Sequence, residues 1–560
     1  MTTVEQESLG VTQAEWLHCP TCRELVYAKR WNRNAGVCPE CGAHGRLTAR
    51  ERIRQLVDPG TFREQIHRLP DTDPLGFTDR RPYPRRVEDA RRDTGEREAV
   101  VCGAAAIDGR PLVLAVMDFR FLGGSLGTGV GELLTLAAED ALARRLPLLV
   151  VTASGGARMQ EGVLSLLQMA KVSQAIAALN EAGLLFVSLI TDPTYGGVAA
   201  SFATQADVII AEPGARLGFA GRRVIRDTVR AELPDGFQTA EFLLARGALD
   251  VVADRAELRD VLSRLLRAAG GPSAPPPTVP SGLIRDCRDL PERDPWHVVS
   301  LARNAERPTG REYTHLIAES FLELHGDRMG ADSPTIIGGI ADLGGISAMV
   351  VATQKGHSTR ELLATNFGMA GPEGYRKALR LFRLAEKLGL PVVTLIDTPG
   401  AYPGVAAEEN CQAGAIATNI LALTGLRVPV IPVITGEGGS GGALALAVGD
   451  QVLMFANGVY SVISPEGCAA ILWDATAAPR AAEALRITAP DLLRLGVVDG
   501  VIPEPGDGAH TDPTAAAANL AAAVRTTIGE LGGIPADQLV ARRRERLRRI
   551  GAPQWTEDVK

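Results

Sequence analysis

The sequence predicts an α/β protein made of two related halves behind a small metal-binding module. Three observations carry that prediction. The first is LPLLVVTASGGARMQEG, Leu146 to Gly162, where an apolar β-branched run ends in a Gly-Gly turn and a helical pattern follows at Val163, Leu166, Leu167 and Ala170. The run reads as a buried strand. Its two glycines let the backbone turn sharply and leave N–H groups uncovered at the start of a helix. The second is a repeat. LPVVTLIDTPGAYPG begins at Leu390, and one offset of 244 positions relates Pro147 to Pro391, Gly156 to Gly400, Gly197 to Gly441 and Gly214 to Gly458. Four landmarks in one register mean duplicated domains, each with two Gly-rich loops after apolar strands. The third is Cys19-Pro-Thr-Cys22 with Cys38-Pro-Glu-Cys41, two CxxC knuckles separated by 15 residues. Four thiolates at tetrahedral geometry make a closed structural zinc site, one ion per chain. His18 and His44 flank it, but four cysteines already fill the shell.

Bulk properties exclude several classes. A chain of 560 residues has room for two to four domains with ample core. The balance of 59 basic against 66 acidic residues argues against a nucleic-acid or membrane-surface protein. MTTVEQESLG lacks the basic start and apolar core of a secretion signal, and no apolar run reaches the roughly 20 residues of a membrane span. A cytoplasmic protein is expected. Cys102, Cys287, Cys411 and Cys468 are scattered singly, as reduced thiols would be.

In chain order, the segment RRPYPRRVEDARRDTGERE at Arg80–Glu98 reads as a solvated linker or helix, with an anion-binding patch as the alternative. Ala99–Met117 alternates around Asp108-Gly109, a hairpin signal, and MDFRFLGGSLGTGVGE leads into a helix. After the first strand–loop–helix region the pattern is helical and polar up to Gly270. GGPSAPPPTVPSG, Gly270–Gly282, is a proline-rich linker. A helical stretch over Trp296–His325 follows, then a second hairpin-like region at Thr335–Thr353 and an amphipathic helix with Leu379, Phe382, Leu384 and Leu388 on its core face. ARRRERLRRI, Ala541–Ile550, reads as a solvated helix end, with phosphate binding as the alternative. The expected domains are 1–50, 51–270, a linker at 271–290, and 291–560.

The Gly-rich loops hold few reactive groups. Ser154 lacks the GxSxG context of a nucleophile elbow, and neither a GxxxxGK[ST] loop nor a strand-linked GxGxxG is present. Glu161, Asp192, Asp397 and Glu437 are each a candidate general base or a helix cap. What remains is a site of backbone N–H groups, suited to enolate or tetrahedral oxyanion chemistry on a thioester.

At this point SGGARMQEG, TDPTYGGVAASFA and EPGARLGFAG, behind a four-cysteine ribbon, resemble the β subunit of bacterial acetyl-CoA carboxylase carboxyltransferase. QKGHSTRELLATNFGMAGPEGYRKALRL, DTPGAYPG, GEGGSGGALA and YSVISPEGCAAILW resemble its α subunit, so both would lie on one chain with the β part first. The resemblance implies two crotonase-like (ββα spiral) domains in tandem. It implies transfer of a carboxyl group from carboxybiotin, held on a separate biotin carboxyl carrier protein, to acetyl-CoA, giving malonyl-CoA in fatty acid synthesis. A separate biotin carboxylase is implied because the chain has neither a biotinylation sequence nor an ATP-binding carboxylase domain. By the same resemblance Gly155 and Gly156 stabilise the thioester enolate, while Gly441 and Gly442 polarise the biotin ureido carbonyl. Ser154, Ala157, Arg158, Gly196, Gly197, Gly438, Gly439 and Ala443 are expected to contact substrate. Released biotin takes up the methyl proton, so no side-chain base is needed. Fusion of an α2β2 assembly implies a homodimer. One departure is visible: Arg222 follows FAG where the family usually has proline, which leaves the local loop shape open. An acyl-CoA decarboxylase, a carboxylase for a larger acyl chain, and a nucleic-acid-binding protein are the competing readings.

Overall fold

Apolar runs with no polar face must be covered on both sides, and that makes a mixed sheet the centre of each half. The computed structural model describes residues 16–67, 73–230, 232–271 and 281–551. Residues 272–280 of the proline-rich linker and the N-terminal residues read for a signal lie outside the described residues. The chain divides into two units, Met1–Leu243 with Val251–Ser263, and Leu244–Asp250 with Arg264–Lys560.

The first unit opens with a two-stranded antiparallel ribbon, β1 (Trp16–His18) and β2 (Leu25–Tyr27). Its sheet contains β3 (Arg63–Glu64), β4 (Val100–Ile107), β5 (Arg110–Met117), β6 (Leu148–Ser154), β7 (Phe186–Tyr195), β8 (Val208–Ala211), β9 (Leu217–Gly218) and β10 (Val251–Val252). The order is β10-β8-β7-β6-β5-β4-β3, with β9 paired to β7 off that path. The pairs β3–β4 and β4–β5 are antiparallel and the others parallel. Asp108 and Gly109, at φ +51° and +72°, make the expected tight turn between β4 and β5.

The second unit repeats this plan. Its strands are β11 (Ser320–Glu323), β12 (Ile336–Asp342), β13 (Ser347–Thr353), β14 (Val392–Thr398), β15 (Val430–Gly439), β16 (Leu453–Phe455), β17 (Val459–Ser461) and β18 (Gly500–Ile502). They order as β11-β12-β13-β14-β15-β16-β18, with β17 paired to β15. The repeat extends to the ladder itself. Leu148 pairs with Phe186 and Val392 with Val430, and the register break between Thr152 and Ser154 recurs between Ile396 and Thr398. Every one of these pairs is related by the 244-residue offset.

Several expectations change. The stretch Trp296–His325 is two helices, Pro295–Ala302 and Gly310–Ile317, followed by β11. A capping box of Thr309 and Glu312 starts the second helix and stops the chain from running through. The helical, polar region before Gly270 also contains β10. The helix Val163–Glu181 buries Val172, Ala175, Ile176 and Leu179, whereas Val163, Leu166 and Leu167 are more than half exposed. The apolar positions that mark the helical pattern therefore lie at the surface. Arg222 is the first residue of the helix Arg222–Val229, with Gly221 as its cap. The first helical position is where proline fits without loss, so arginine and proline suit the same loop. In the C-terminal helix Ala536–Arg549, Arg543 is fully buried and donates to Leu423, Leu426 and Val428 carbonyls and to Asp450. There the solvated reading fails for one arginine, which holds the end of a neighbouring helix.

Candidate active site

Cys19, Cys22, Cys38 and Cys41 bring their sulfurs within 4.8 Å of one another. Each knuckle is a tight turn, closed by Arg23 N–H to the Cys19 carbonyl and Gly42 N–H to the Cys38 carbonyl. The Cys19–Cys41 and Cys22–Cys38 sulfurs are 3.7 and 3.9 Å apart. A disulfide would bring them to about 2 Å. Tetrahedral bonds of about 2.3 Å put sulfurs about 3.8 Å apart, so the set fits one structural zinc ion.

The Gly-rich loop after β6 is fixed from two sides. The Gly155 N–H donates to the Gly123 carbonyl at 2.8 Å, and the Gly156 N–H to the Ser154 hydroxyl at 3.0 Å. The uncovered N–H groups expected on Gly155 and Gly156 are thus engaged. Leu126 pairs in parallel fashion with Ala157, donating to the Gly156 carbonyl at 2.8 Å and accepting from Arg158 N–H at 2.9 Å. In such a pairing the N–H of the middle residue points to the opposite side. The Ala157 N–H faces away from Leu126, and it meets no acceptor among the described residues.

The loop after β7 meets this one through glycine. A Cβ on Gly196, at φ +60°, would lie 2.9 Å from Gly156 Cα and 3.8 Å from Ala157 N. The Gly196 N–H donates to the Phe219 carbonyl at 3.1 Å, while the next N–H, of Gly197, has no acceptor among the described residues. Two free donors, Ala157 and Gly197, therefore sit on converging loops.

The second unit carries the same construction at the 244-residue offset. The Gly400 N–H donates to Thr398 Oγ1 at 3.1 Å, as Gly156 does to Ser154. Ser440 takes the left-handed conformation of Gly196, at φ +53°. Ala401 and Gly441 are the counterparts of Ala157 and Gly197, and their N–H groups also have no acceptor among the described residues. Gly442 lies so close that a Cβ would stand 2.4 Å from Ala401 N. Gly439 packs on the Pro399 carbonyl and Gly438 on the Tyr460 ring, the latter buried under the loop. Ala443 is buried in the helix Ser440–Ala447.

Two of the expected substrate contacts in the first unit have polar side chains that are enclosed. Ser154 is fully buried and holds the turn. Arg158 is 1% exposed, and its guanidinium is consumed by Glu98, Ser125 and Tyr83. Burial alone would lower its pKa, but the Glu98 carboxylate outweighs it and keeps Arg158 charged. Glu161 accepts from the Tyr83 hydroxyl at 2.5 Å and from Thr128 N–H at 2.5 Å, capping the helix Thr128–Arg144. Tyr83 and Glu98 were not singled out in the sequence. Tyr83 opens the helix Tyr83–Thr94 inside the segment read as a solvated linker or helix, and it is 3% exposed.

None of the candidate bases is free. Asp192 holds Arg216 through two hydrogen bonds of 2.7 and 2.8 Å. Asp397 and Glu437 share Lys355, at 2.7 and 3.2 Å, and Glu437 also accepts from Arg303 at 2.6 Å. Burial works against charge here, yet the paired cations hold the Glu437 carboxyl below its usual range, and the two acids hold Lys355 above its own. The cations around the helix Tyr83–Thr94 are paired too, Arg86 with Asp79, Arg85 with Glu88 and Arg92 with Asp89. Among the described residues, no helix is long and apolar enough to cross a membrane.

Comparison with known proteins identifies the family. Residues 290–551 match the family model "Acetyl co-enzyme A carboxylase carboxyltransferase-like", and residues 16–41 match "Acetyl-CoA carboxylase zinc finger domain". The acetyl-coenzyme A carboxylase carboxyl transferase subunits beta/alpha of Salinispora tropica is 60% identical over 548 residues, 96% of each chain. That of Clostridium tetani is 43% identical, over 96% of this chain and 93% of the relative. Among solved structures, transcarboxylase 12S superposes with a TM-score of 0.70 at 23% identity, over 90% of this chain and 92% of that one.

Proposed function

The chain belongs to the carboxyltransferases of acetyl-CoA carboxylase, in the form that carries the β and α subunits on one chain, and on that premise we propose how its residues divide the reaction. The enzyme is a transferase that works with a biotin carrier and a biotin carboxylase. In our reading the first unit binds acetyl-CoA, with the Ala157 and Gly197 N–H groups directed at the thioester oxygen. Charge builds on that oxygen as the methyl group loses its proton. Two fixed donors at about 2.7–3.1 Å stabilise it more than they stabilise the neutral carbonyl. Gly155 and Gly156 shape this loop rather than donate to substrate. In the second unit, Ala401 and Gly441 play the same part toward the ureido oxygen of biotin, with Gly439 and Gly442 keeping the space open. Carboxybiotin, presented on its carrier, supplies the carboxyl group.

The observation that carries this reading is the recurrence of two free N–H donors on converging Gly-rich loops in both units. Its complement is that Glu161, Asp192, Asp397 and Glu437 are all committed to ion pairs or a helix cap, which leaves proton transfer to the substrates. Exposed Met159, Val163, Leu166 and Leu167 form an apolar stripe beside the first loop. A stripe of that kind fits a face between copies of the chain, so we read the enzyme as a homodimer, and we place it in the cytoplasm with its family. The test is to incubate the chain with malonyl-CoA and biocytin and follow acetyl-CoA. Biocytin-dependent release is expected. Release without biocytin would mean a decarboxylase, and a preference for a methyl-branched malonyl thioester would overturn the acyl assignment.

A further inference from the structure

Ala157 owes its free N–H to the segment Gly123–Thr128, which lies against Gly155–Arg158. That pairing rests on a buried polar cluster whose members come from four places in the chain. Arg158 Nε donates to Ser125 Oγ at 3.1 Å, and Nη2 to the Ser125 carbonyl at 3.0 Å. Nη2 also donates to Glu98 Oε2 at 2.8 Å, and Nη1 to Glu98 Oε1 and, at 3.2 Å, to the Tyr83 hydroxyl. Tyr83 in turn donates to Glu161, whose other oxygen holds Thr128 N–H. The cluster therefore grips the loop on one side and the paired segment on the other. Arg158, Glu161, Glu98 and Tyr83 are 1, 2, 6 and 3% exposed. Glycines make the room for it. A Cβ on Gly127 would stand 2.7 Å from Glu161 and 2.8 Å from Arg158, and one on Gly129 would stand 2.7 Å from Glu98.

We infer that Tyr83 is a positioning residue for the acyl half of the reaction, setting the Ala157 N–H through Arg158 and Glu161 without touching substrate. The inference rests on the reading that Ala157 and Gly197 are the oxyanion donors. The Tyr83 hydroxyl bonds both Arg158 and Glu161, which follow Ala157 by one and four residues and also meet each other at 3.5 Å. Without it Glu161 keeps Thr128 and a 3.5 Å contact with Arg158 but loses its tie to the helix Tyr83–Thr94, and Arg158 keeps Glu98 and Ser125 but loses its own link to that helix. The loop then rests on a looser frame. A donor misplaced by a fraction of an ångström loses transition-state stabilisation while leaving ground-state binding nearly intact.

The experiment is Tyr83→Phe in the full chain, assayed for biocytin-dependent acetyl-CoA release from malonyl-CoA. We expect kcat to fall by about tenfold or more, with KM for malonyl-CoA and the inhibition constant of free CoA, which has no thioester carbonyl to place, within about twofold. Glu161→Gln, which keeps the size and an acceptor, should show the same split. A kcat within twofold of the parent overturns the inference. So does a loss of kcat that comes with equal loss of CoA binding and a collapsed thermal transition, because that is general destabilisation. If Gly196→Ala is inactive while Tyr83→Phe is not, the positioning role fails and the oxyanion reading stands. If both keep activity, the oxyanion reading itself is wrong.

Discussion

Replacing Gly196 by alanine adds one methyl group at the point where the two loops of the first unit meet. The new Cβ would stand 2.9 Å from Gly156 Cα, where ordinary contact begins at 3.4 Å, so the loops must part by about 0.5 Å. The partner atom is backbone and cannot swing aside. Alanine at φ +60° adds a left-handed penalty of roughly 1–2 kcal/mol. Hydrogen bonds to an oxyanion are made at about 2.7–3.1 Å, and half an ångström moves a donor out of that range. Turnover should fall by about 10- to 100-fold, or roughly 1.4–2.7 kcal/mol of transition-state stabilisation. The assay is biocytin-dependent acetyl-CoA release, with a thermal melt on the same sample. Gly109→Ala is the matched control. Gly109 has φ +72° and nothing within 4 Å of its Cβ position, so it shares the backbone strain without the collision. It lies at the start of β5, whose 8 residues place it roughly 25 Å from the loop end of the sheet. That variant should melt lower yet turn over normally. Gly196→Ala with turnover within twofold of the parent, in folded protein, would refute the convergence of donors on which the reading depends.

Gly442→Ala puts a Cβ 2.4 Å from Ala401 N and should abolish biocytin-dependent release while changing the affinity for malonyl-CoA by less than about twofold; equal loss of both would count against the division between the units. Elemental analysis should find one zinc per chain, and Cys38→Ser or chelation should lower the melting temperature, since the fully buried core of the ribbon among the described residues is the small cluster of Cys19, Val26 and Cys38. Glu212 is 3% exposed, and although burial alone would raise its pKa, Arg52, Arg255 and His44 hold it well below the usual carboxylate range. Its contribution is therefore complete above the unfolded value near 4.5 and is lost as pH falls toward the depressed folded value. Glu212→Gln should flatten that acid limb in melts taken from pH 7 downward, and at neutral pH it should cost about 3–5 kcal/mol by stranding two buried arginines.

The sequence made the repeat legible because the features it duplicates are glycines and strand ends, whose constraints are local. A tight turn demands glycine wherever the fold places it, so spacing alone revealed Gly156, Gly400, Gly197 and Gly441. The zinc ligands were legible for a similar reason, since one knuckle fixes two of them. Which N–H groups are free was not legible. Gly156 spends its own on Ser154, two residues back, and Gly155 spends its own on Gly123, in a loop about 30 residues upstream whose approach no local pattern reports. Arg158 showed the same limit. A charge beside a Gly-rich loop reads as a ligand contact until its partners are known, and Glu98 and Tyr83 lie 60 and 75 residues away. Tyr83 sat in a segment so rich in charge that a single aromatic gave no periodicity to read.

The duplication also shows why backbone donors and side chains evolve under different constraints here. Ladder register, the bulge and the left-handed residue before the free N–H recur between the units, but the side chains at the strand ends have diverged. In the first unit a cavity of about 300 Å³ is lined by His44, Arg46, Phe119, Ala153 and Asp192. In the second, a cavity of about 260 Å³ is lined by Arg303, Lys355, Phe367, Asp397 and Glu437. Asp397 stands at the 244-residue offset from Ala153, and Lys355 follows the end of β13 by two residues, as Phe119 follows β5. At these two points the first unit carries alanine and phenylalanine, and the second an acid and a lysine that pair at 2.7 Å. A site whose chemistry is done by N–H groups can change every side chain beneath it and keep its donors, because no side-chain atom has to reach the reacting oxygen. Two copies of one oxyanion site could thus come to face different substrates with the catalytic geometry preserved.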